Sequence, residues 1–190
     1  MARLGVLGGT FDPPHIGHLI LAQCALEYFQ FDRVIFIPAN KQPHKLDQPI
    51  SAGKIRLEML KLALADDKHF EISAIELDDD SVSYTCQTLH KLKALYPKYE
   101  LYFIMGGDNI TDIQTWKNPE EIFLLAEVVA AHRPAFPAEG EHAGQIKLFP
   151  MPQIEISSTA IRENVKQGKA IKYLVADSVE KYIIKHNLYK

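Results

Sequence analysis

Short apolar runs alternate with amphipathic stretches along nearly the whole chain, and this alternation limits the fold more than any other feature. The run RLGVL (3–7) precedes residues 15–29, where Leu19, Ala22, Leu26 and Phe29 share one helical face. RVIFIPA (33–39) reads as a second strand, rich in β-branched and aromatic residues, and a helix carrying Ile55, Met59 and Leu62 follows. FEISAIEL (70–77) alternates like a half-exposed strand, and Cys86, Leu89, Leu92 and Tyr96 mark the next helix. ELYFIMGGD (100–108) predicts a fourth strand that runs into glycines, with short helices around 110–125 beyond it. Two further strands, EVVAAHRP (127–134) and IKLFPM (146–151), flank a Pro/Gly/His-rich loop near 134–145. Val175, Val179, Tyr182, Ile183 and His186 form a stripe in a small C-terminal helical segment. The pattern predicts an α/β fold: a doubly wound, mostly parallel sheet with helices on both faces. Ligands of such sheets bind outside the carboxyl ends of the strands, so the strand-to-helix turns are the places to search.

Composition narrows the class. The 190 residues fit one domain, 1–190, and a 47% hydrophobic content with mixed charge is that of a globular protein. A net charge of −3 gives no sign of a nucleic-acid partner. No apolar run approaches the roughly 18 residues of a membrane span, so no membrane partner is expected. The N-terminus enters a strand and a glycine turn at once, without a secretory pattern, and the expected location is cytoplasmic. Cys24 and Cys86 fall in helical patterns and read as free thiols of a reducing compartment. Self-association, as a homo-oligomer, is left open by the sequence.

The first turn, GGTFDPPHIGH (8–18), is chemically unusual. Gly8 and Gly9 let a ligand approach the backbone. His15 and His18 stand three positions apart, so both rings project from one face of the first helical turn, and Gly17 between them leaves room for a large ligand against the helix. A helix N-terminus favours anions and disfavours protonated histidine. Two histidines there suit bound phosphates, to whose oxygens their N–H groups can donate. The plain alternative is a pair of solvated cap histidines; a metal site lacks an evident third ligand. The turn is neither a P-loop nor GxGxxG.

At the other end of the chain, ISSTAIRE (156–163) reads as a helix start with Ser158 or Thr159 as its cap. Where a capping box would carry Glu or Gln, Ile161 and Arg162 stand instead. A cation in the first turn opposes the helix dipole unless an anion is bound, so hydroxyls, amides and arginine together describe a second phosphate grip.

These two segments resemble the signatures of the nucleotidyltransferase superfamily built on the HxGH motif, whose core is Rossmann-like. The resemblance implies that His15 and His18 bind ATP phosphates and stabilise the transition state of adenylyl transfer, with Arg162 as a third catalytic group. It also implies that Gly8, Gly9, Thr10 and Phe11 line the nucleotide, and that Ser157, Ser158 and Thr159 hold the β- and γ-phosphates. Magnesium is expected to be held mainly by the ATP phosphates.

The middle of the chain resembles the bacterial nicotinate mononucleotide adenylyltransferases in particular. IPANKQPHK offers Lys45 as a phosphate contact, and SYT (83–85) opens a helix whose Thr85 amides resemble the family's nicotinate-carboxylate site, with Tyr84 as a further substrate-binding residue. In GGDNITDIQTW, Asp108 follows a strand and is suited to accept from ribose hydroxyls. Trp116, the only tryptophan, is either a platform for a pyridine ring or a semi-buried core residue. Arg133 matches an active-site arginine of the family, although here Pro-Ala follows it where the family commonly has Pro-Gly. The implied reaction is transfer of AMP from ATP to nicotinate mononucleotide. The alternatives are a nicotinamide mononucleotide or phosphopantetheine acceptor, and, in a different class, a non-catalytic nucleotide-binding sensor.

Overall fold

The computed structural model describes residues 2–40, 50–78, 82–132 and 141–190. Six parallel strands form one sheet among the described residues: β1 (Ala2–Gly9), β2 (Arg33–Pro38), β3 (Phe70–Ile72), β4 (Tyr99–Met105), β5 (Glu127–Ala131) and β6 (Lys147–Phe149). Their spatial order is β3-β2-β1-β4-β5-β6, so the winding reverses between β1 and β4. This is the Rossmann-like, doubly wound α/β order, and its switch point lies where β1 ends.

Alternate residues of the strands feed two separate cores, as a period of two requires. Leu4, Val6, Ile35, Ile37, Leu101, Phe103 and Val128 pack under α3 (Thr85–Leu95) and α4 (Pro119–Leu125) through Cys86, Leu89, Leu92 and Ile122. Leu7, Val34, Phe36, Ile104, Val129 and Phe149 face α1 (Ile16–Phe29) and α2 (Gly53–Leu64) on the other side. A third cluster packs α5 (Ser158–Lys166) and α6 (Asp177–Lys185) onto α2 through Ile161, Val179, Ile183 and Met59. Helices therefore cover both faces, and the C-terminal helical segment is an annex to α2. Cys24 and Cys86 are both free thiols and belong to opposite faces of the sheet.

Several boundaries differ from the sequence reading. The stretch 70–77 is a strand only over Phe70–Ile72. Ser73 still donates to Phe36, and Ala39 donates to Gly9 on the opposite side of β2. By that alternation the next donor toward β3 would be Pro38, which has no N–H, so the ladder stops and the chain turns over 74–78. The buried stripe of α1 is Leu21, Ala22, Ala25 and Leu26, while Leu19 and Phe29 are half-buried at its margins. The cap of α5 is Ser157, whose hydroxyl accepts from the Ala160 amide at 3.1 Å, and not Ser158 or Thr159. Ser158 instead donates its hydroxyl to the Pro13 carbonyl at 2.9 Å.

Candidate active site

The carboxyl ends of β1 and β4 open into a cavity of about 970 Å³. One end is built by the loop between β1 and α1 together with the start of α5. Phe11 sits at φ 51°, in the left-handed region, yet its ring is only 1% exposed. Gly9 makes this arrangement fit, because a Cβ there would stand 2.9 Å from the Phe11 ring. Phe11 thus turns its side chain into the core and leaves backbone toward the cavity, beside Gly8 and Thr10.

His15 is the N-cap of α1, and its ring stacks on that of His18 at 3.6 Å with 22° between planes. The His15 ring occupies the space over Gly17, where a Cβ would meet Nδ1 at 3.0 Å. The glycine therefore makes room for His15 itself and not, as the sequence reading had it, for a ligand. His15 is 8% exposed and its Nδ1 is buried with no hydrogen-bond partner among the described residues. Burial without a partner disfavours the charged ring and lowers its pKa from 6.5 to about 4. His18 is oriented differently. Its Nδ1 accepts from the His15 backbone N–H at 3.1 Å, so a neutral His18 carries its proton on Nε2. The Phe11 ring meets His18 edge-on at 4.9 Å and holds its plane.

Arg162 faces this histidine pair from α5. Its Nη1 donates to the Asp12 carbonyl at 2.8 Å and its Nη2 to the Thr159 hydroxyl at 3.2 Å. With Ser157 as the cap, Arg162 lies in the second turn of α5 and not the first, so the dipole argument weakens. The arginine is fixed by these two acceptors and still lines the cavity with Ser157, Ser158 and Thr159.

The opposite end is lined by Tyr84, Thr85, Trp116 and Lys117. Tyr84 caps α3 with no side-chain hydrogen bond, so the first amides of that helix, beginning at Thr85, receive no acceptor from the cap side chain. Trp116 is half-buried, with its ring edge-to-face on Phe103 at 5.9 Å. It is both a neighbour of the core and a wall of the cavity. The Lys117 ammonium lies 4.2 Å from the Tyr84 ring centroid, within cation–π range. Beneath them Glu76 accepts from the Thr88 hydroxyl at 2.6 Å, and burial raises its carboxyl above the usual range.

The cavity thus gathers Gly8, Gly9, Thr10, Phe11, His15, His18, Tyr84, Thr85, Trp116, Ser157, Ser158, Thr159 and Arg162. Lys45 and Arg133, and the side chain of Asp108, lie outside the described residues. Sequence reasoning missed four groups that shape the site. Arg56 is 1% exposed and donates to the Ser51 carbonyl at 2.9 Å and the Thr10 carbonyl at 2.8 Å. Asp12 is 2% exposed, and Tyr189 donates to it. Lys117 is the fourth. Asp12 stood inside the quoted motif, but nothing in helical periodicity marks Arg56 as a loop anchor, and nothing local marks Tyr189 or Lys117.

Residues 6–164 match the family described as cytidylyltransferase-like. The chain is 44% identical over 188 residues to a Thermus thermophilus protein named "Probable nicotinate-nucleotide adenylyltransferase", covering 99% of this chain and 100% of that one. A Desulfitobacterium hafniense protein of the same name is 42% identical over 198 residues, with 99% and 96% covered. The chain belongs to the nicotinate-nucleotide adenylyltransferases of the cytidylyltransferase-like family. The fold of these nucleotidyltransferases extends further: the Plasmodium falciparum nicotinic acid mononucleotide adenylyltransferase complexed with APC superposes with a TM-score of 0.81 at 21% identity, covering 100% of this chain and 98% of that one. The same parasite protein complexed with NaAD gives 0.80 at 22% identity, with the same coverage.

Proposed function

We propose that the protein transfers AMP from ATP to nicotinate mononucleotide, giving nicotinate adenine dinucleotide and pyrophosphate. The observation that carries this reading is one cavity lined by the HxGH turn, the start of α5, and an aromatic, amide-bearing end at Tyr84, Thr85 and Trp116. Whole-length likeness to relatives named nicotinate-nucleotide adenylyltransferase supports the choice of acceptor.

In this reading the acceptor 5′-phosphate attacks the α-phosphorus of ATP in line and pyrophosphate leaves, with no covalent enzyme intermediate. The protein aligns two polyanions and neutralises the charge that moves onto the leaving group. His18 presents a tautomer fixed by the His15 amide, with Nε2–H as the donor toward a phosphoryl oxygen. His15, neutral because it is buried, and Arg162, held by Asp12 and Thr159, clamp the β- and γ-phosphates with Thr10, Ser157, Ser158 and Thr159. Gly8, Gly9 and Phe11 contribute backbone, and Asp108 the ribose contact. At the other end Thr85 and Tyr84 receive the nicotinate carboxylate and Trp116 the pyridine ring, with Lys45 and Arg133 as further acceptor contacts. The imidazole, guanidinium and hydroxyl groups of this site suit phosphoryl oxygens; magnesium, when bound, would be held mainly by the triphosphate and would supply charge neutralisation there. The reading treats 1–190 as one catalytic domain acting on soluble nucleotides in the cytoplasm. No helix among the described residues is long and apolar enough to cross a membrane.

Pyrophosphate release with ATP and magnesium, measured separately with nicotinate mononucleotide, nicotinamide mononucleotide and phosphopantetheine, tests the proposal. Release with the first far above the others is expected. Equal or greater release with another acceptor contradicts the acceptor assignment. ATP binding without release from any of them contradicts the reaction.

A further inference from the structure

The loop from Thr10 to His15 presents the histidine pair, and its carbonyls and one carboxylate are held by segments distant in sequence. Arg56 of α2 holds the Thr10 carbonyl, Arg162 of α5 the Asp12 carbonyl, and Ser158 the Pro13 carbonyl. The Asp12 carboxylate completes this set from the loop's side. Its Oδ2 accepts from the Ser51 backbone N–H at 3.0 Å, and its Oδ1 accepts from the Tyr189 hydroxyl at 2.6 Å. Asp12 is 2% exposed, so water does not replace a lost partner readily.

Tyr189 lies 177 residues from Asp12 in sequence and reaches it by an unusual route. After α6 the chain reverses with Asn187 at φ 51° and Tyr189 at φ 64°, both in the left-handed region that ordinary side chains rarely adopt. Leu188 donates back to Ile183 and secures the turn. Two non-glycine residues in that region within three positions persist only where the surroundings reward the result. Here the result is one phenol against one carboxylate beneath the phosphate end of the cavity.

We infer that Tyr189 is a positioning residue for the HxGH turn, acting through Asp12 to set the backbone that carries His15 and His18. The inference rests on reading that turn as the ATP phosphate site. Loss of the hydroxyl leaves one oxygen of a buried carboxylate without its donor. Asp12 then shifts, and with it the carbonyl that orients Arg162. The loss falls on transition-state stabilisation and spares binding of the acceptor at the far end of the cavity.

The test compares Tyr189→Phe with Ser178→Ala. Ser178, on the same helix–tail unit, donates to the Leu62 carbonyl at 2.8 Å, on α2 and outside the HxGH turn. It therefore reports what loosening that unit from α2 does by itself. For Tyr189→Phe, kcat for pyrophosphate release is expected to fall about 5–20-fold with KM for nicotinate mononucleotide within about twofold. Ser178→Ala is expected to lower the melting temperature by a comparable amount with kcat unchanged. Amide hydrogen exchange at residues 10–18 is expected to rise about tenfold or more in Tyr189→Phe alone. If Tyr189→Phe behaves like Ser178→Ala, or its exchange at 10–18 is unchanged, the inference is overturned. Failure of the wild-type protein to use nicotinate mononucleotide would count against the proposed function instead, and the exchange comparison still decides the role of Tyr189.

Discussion

The two ends of the cavity are built by different means. At the end proposed for the phosphates, groups from α2, α5 and the tail converge on one short loop. The Thr10, Asp12 and Pro13 carbonyls and the Asp12 carboxylate each accept from a residue distant in sequence. At the end proposed for the acceptor, Trp116 rests on Phe103, Lys117 leans on Tyr84, and the α3 cap has no side-chain hydrogen bond. The first end is a rigid donor array suited to charge that moves during reaction; the second is a set of ring faces and helix-start amides suited to a flat anionic ring. A rigid array acts mainly on kcat, because its donors meet the transition state already oriented. Ring stacking acts mainly on binding.

That division can be broken by substitution. The largest effect is expected for His18→Ala, where kcat for pyrophosphate release falls about 10²–10³-fold while thermal melting stays close to wild type. A loss confined to KM would move His18 out of the reaction. Arg162→Lys keeps the charge but not the planar fork that reaches Asp12 and Thr159 together, and steady-state kinetics should give a fall in kcat of about tenfold.

Trp116→Ala belongs to the other class. Its KM for the acceptor should rise about 2–10-fold, the range of one ring–ring contact, with KM for ATP unchanged. A matching rise for both substrates would mean that the change had loosened the core around Phe103 instead. The smallest effect is expected for Lys117→Gln. Removing the ammonium beside Tyr84 should lower the preference for the acid over the amide acceptor by about two- to fivefold, less in high salt. An unchanged ratio at low salt would limit Lys117 to covering the tyrosine ring.

The buried histidine adds a stability test at the phosphate end. With a folded pKa of about 4 against 6.5 when unfolded, His15 binds its proton more readily in the unfolded chain. Its contribution is therefore neutral above about pH 6.5 and increasingly destabilising as pH falls toward 4, below which it changes no further. Denaturant unfolding at pH 7 and pH 4.5 should give a smaller loss of stability on acidification in His15→Gln than in wild type. An identical pH dependence would mean that His15 is not held uncharged by the fold.

Much of this frame was legible in the chain. The strand–helix alternation gave the sheet because buried parallel strands are continuous apolar runs, and RLGVL, RVIFIPA and ELYFIM are such runs. The HxGH turn was legible because glycine, proline and paired histidines have few other reasons to share a helix start. What escaped was non-local. Arg56 sits in an amphipathic helix where a cation reads as solvent-facing, yet the loop carbonyls of Thr10 and Ser51 draw it inside. Ser157 displaced Ser158 as the α5 cap because the Ser158 hydroxyl is taken by Pro13, a partner 145 residues away. The strand end after Ile72 depended on which side of β2 Pro38 would have donated to, and that parity is invisible until the register is known.

The most direct test of the two-ended cavity is a full steady-state comparison of His18→Ala and Trp116→Ala, varying ATP and nicotinate mononucleotide in turn. The account predicts a collapse of kcat with near-normal KM values in the first, and a raised acceptor KM with near-normal kcat in the second. Both variants losing kcat and acceptor affinity together, in similar proportion, would contradict a cavity whose ends divide the work.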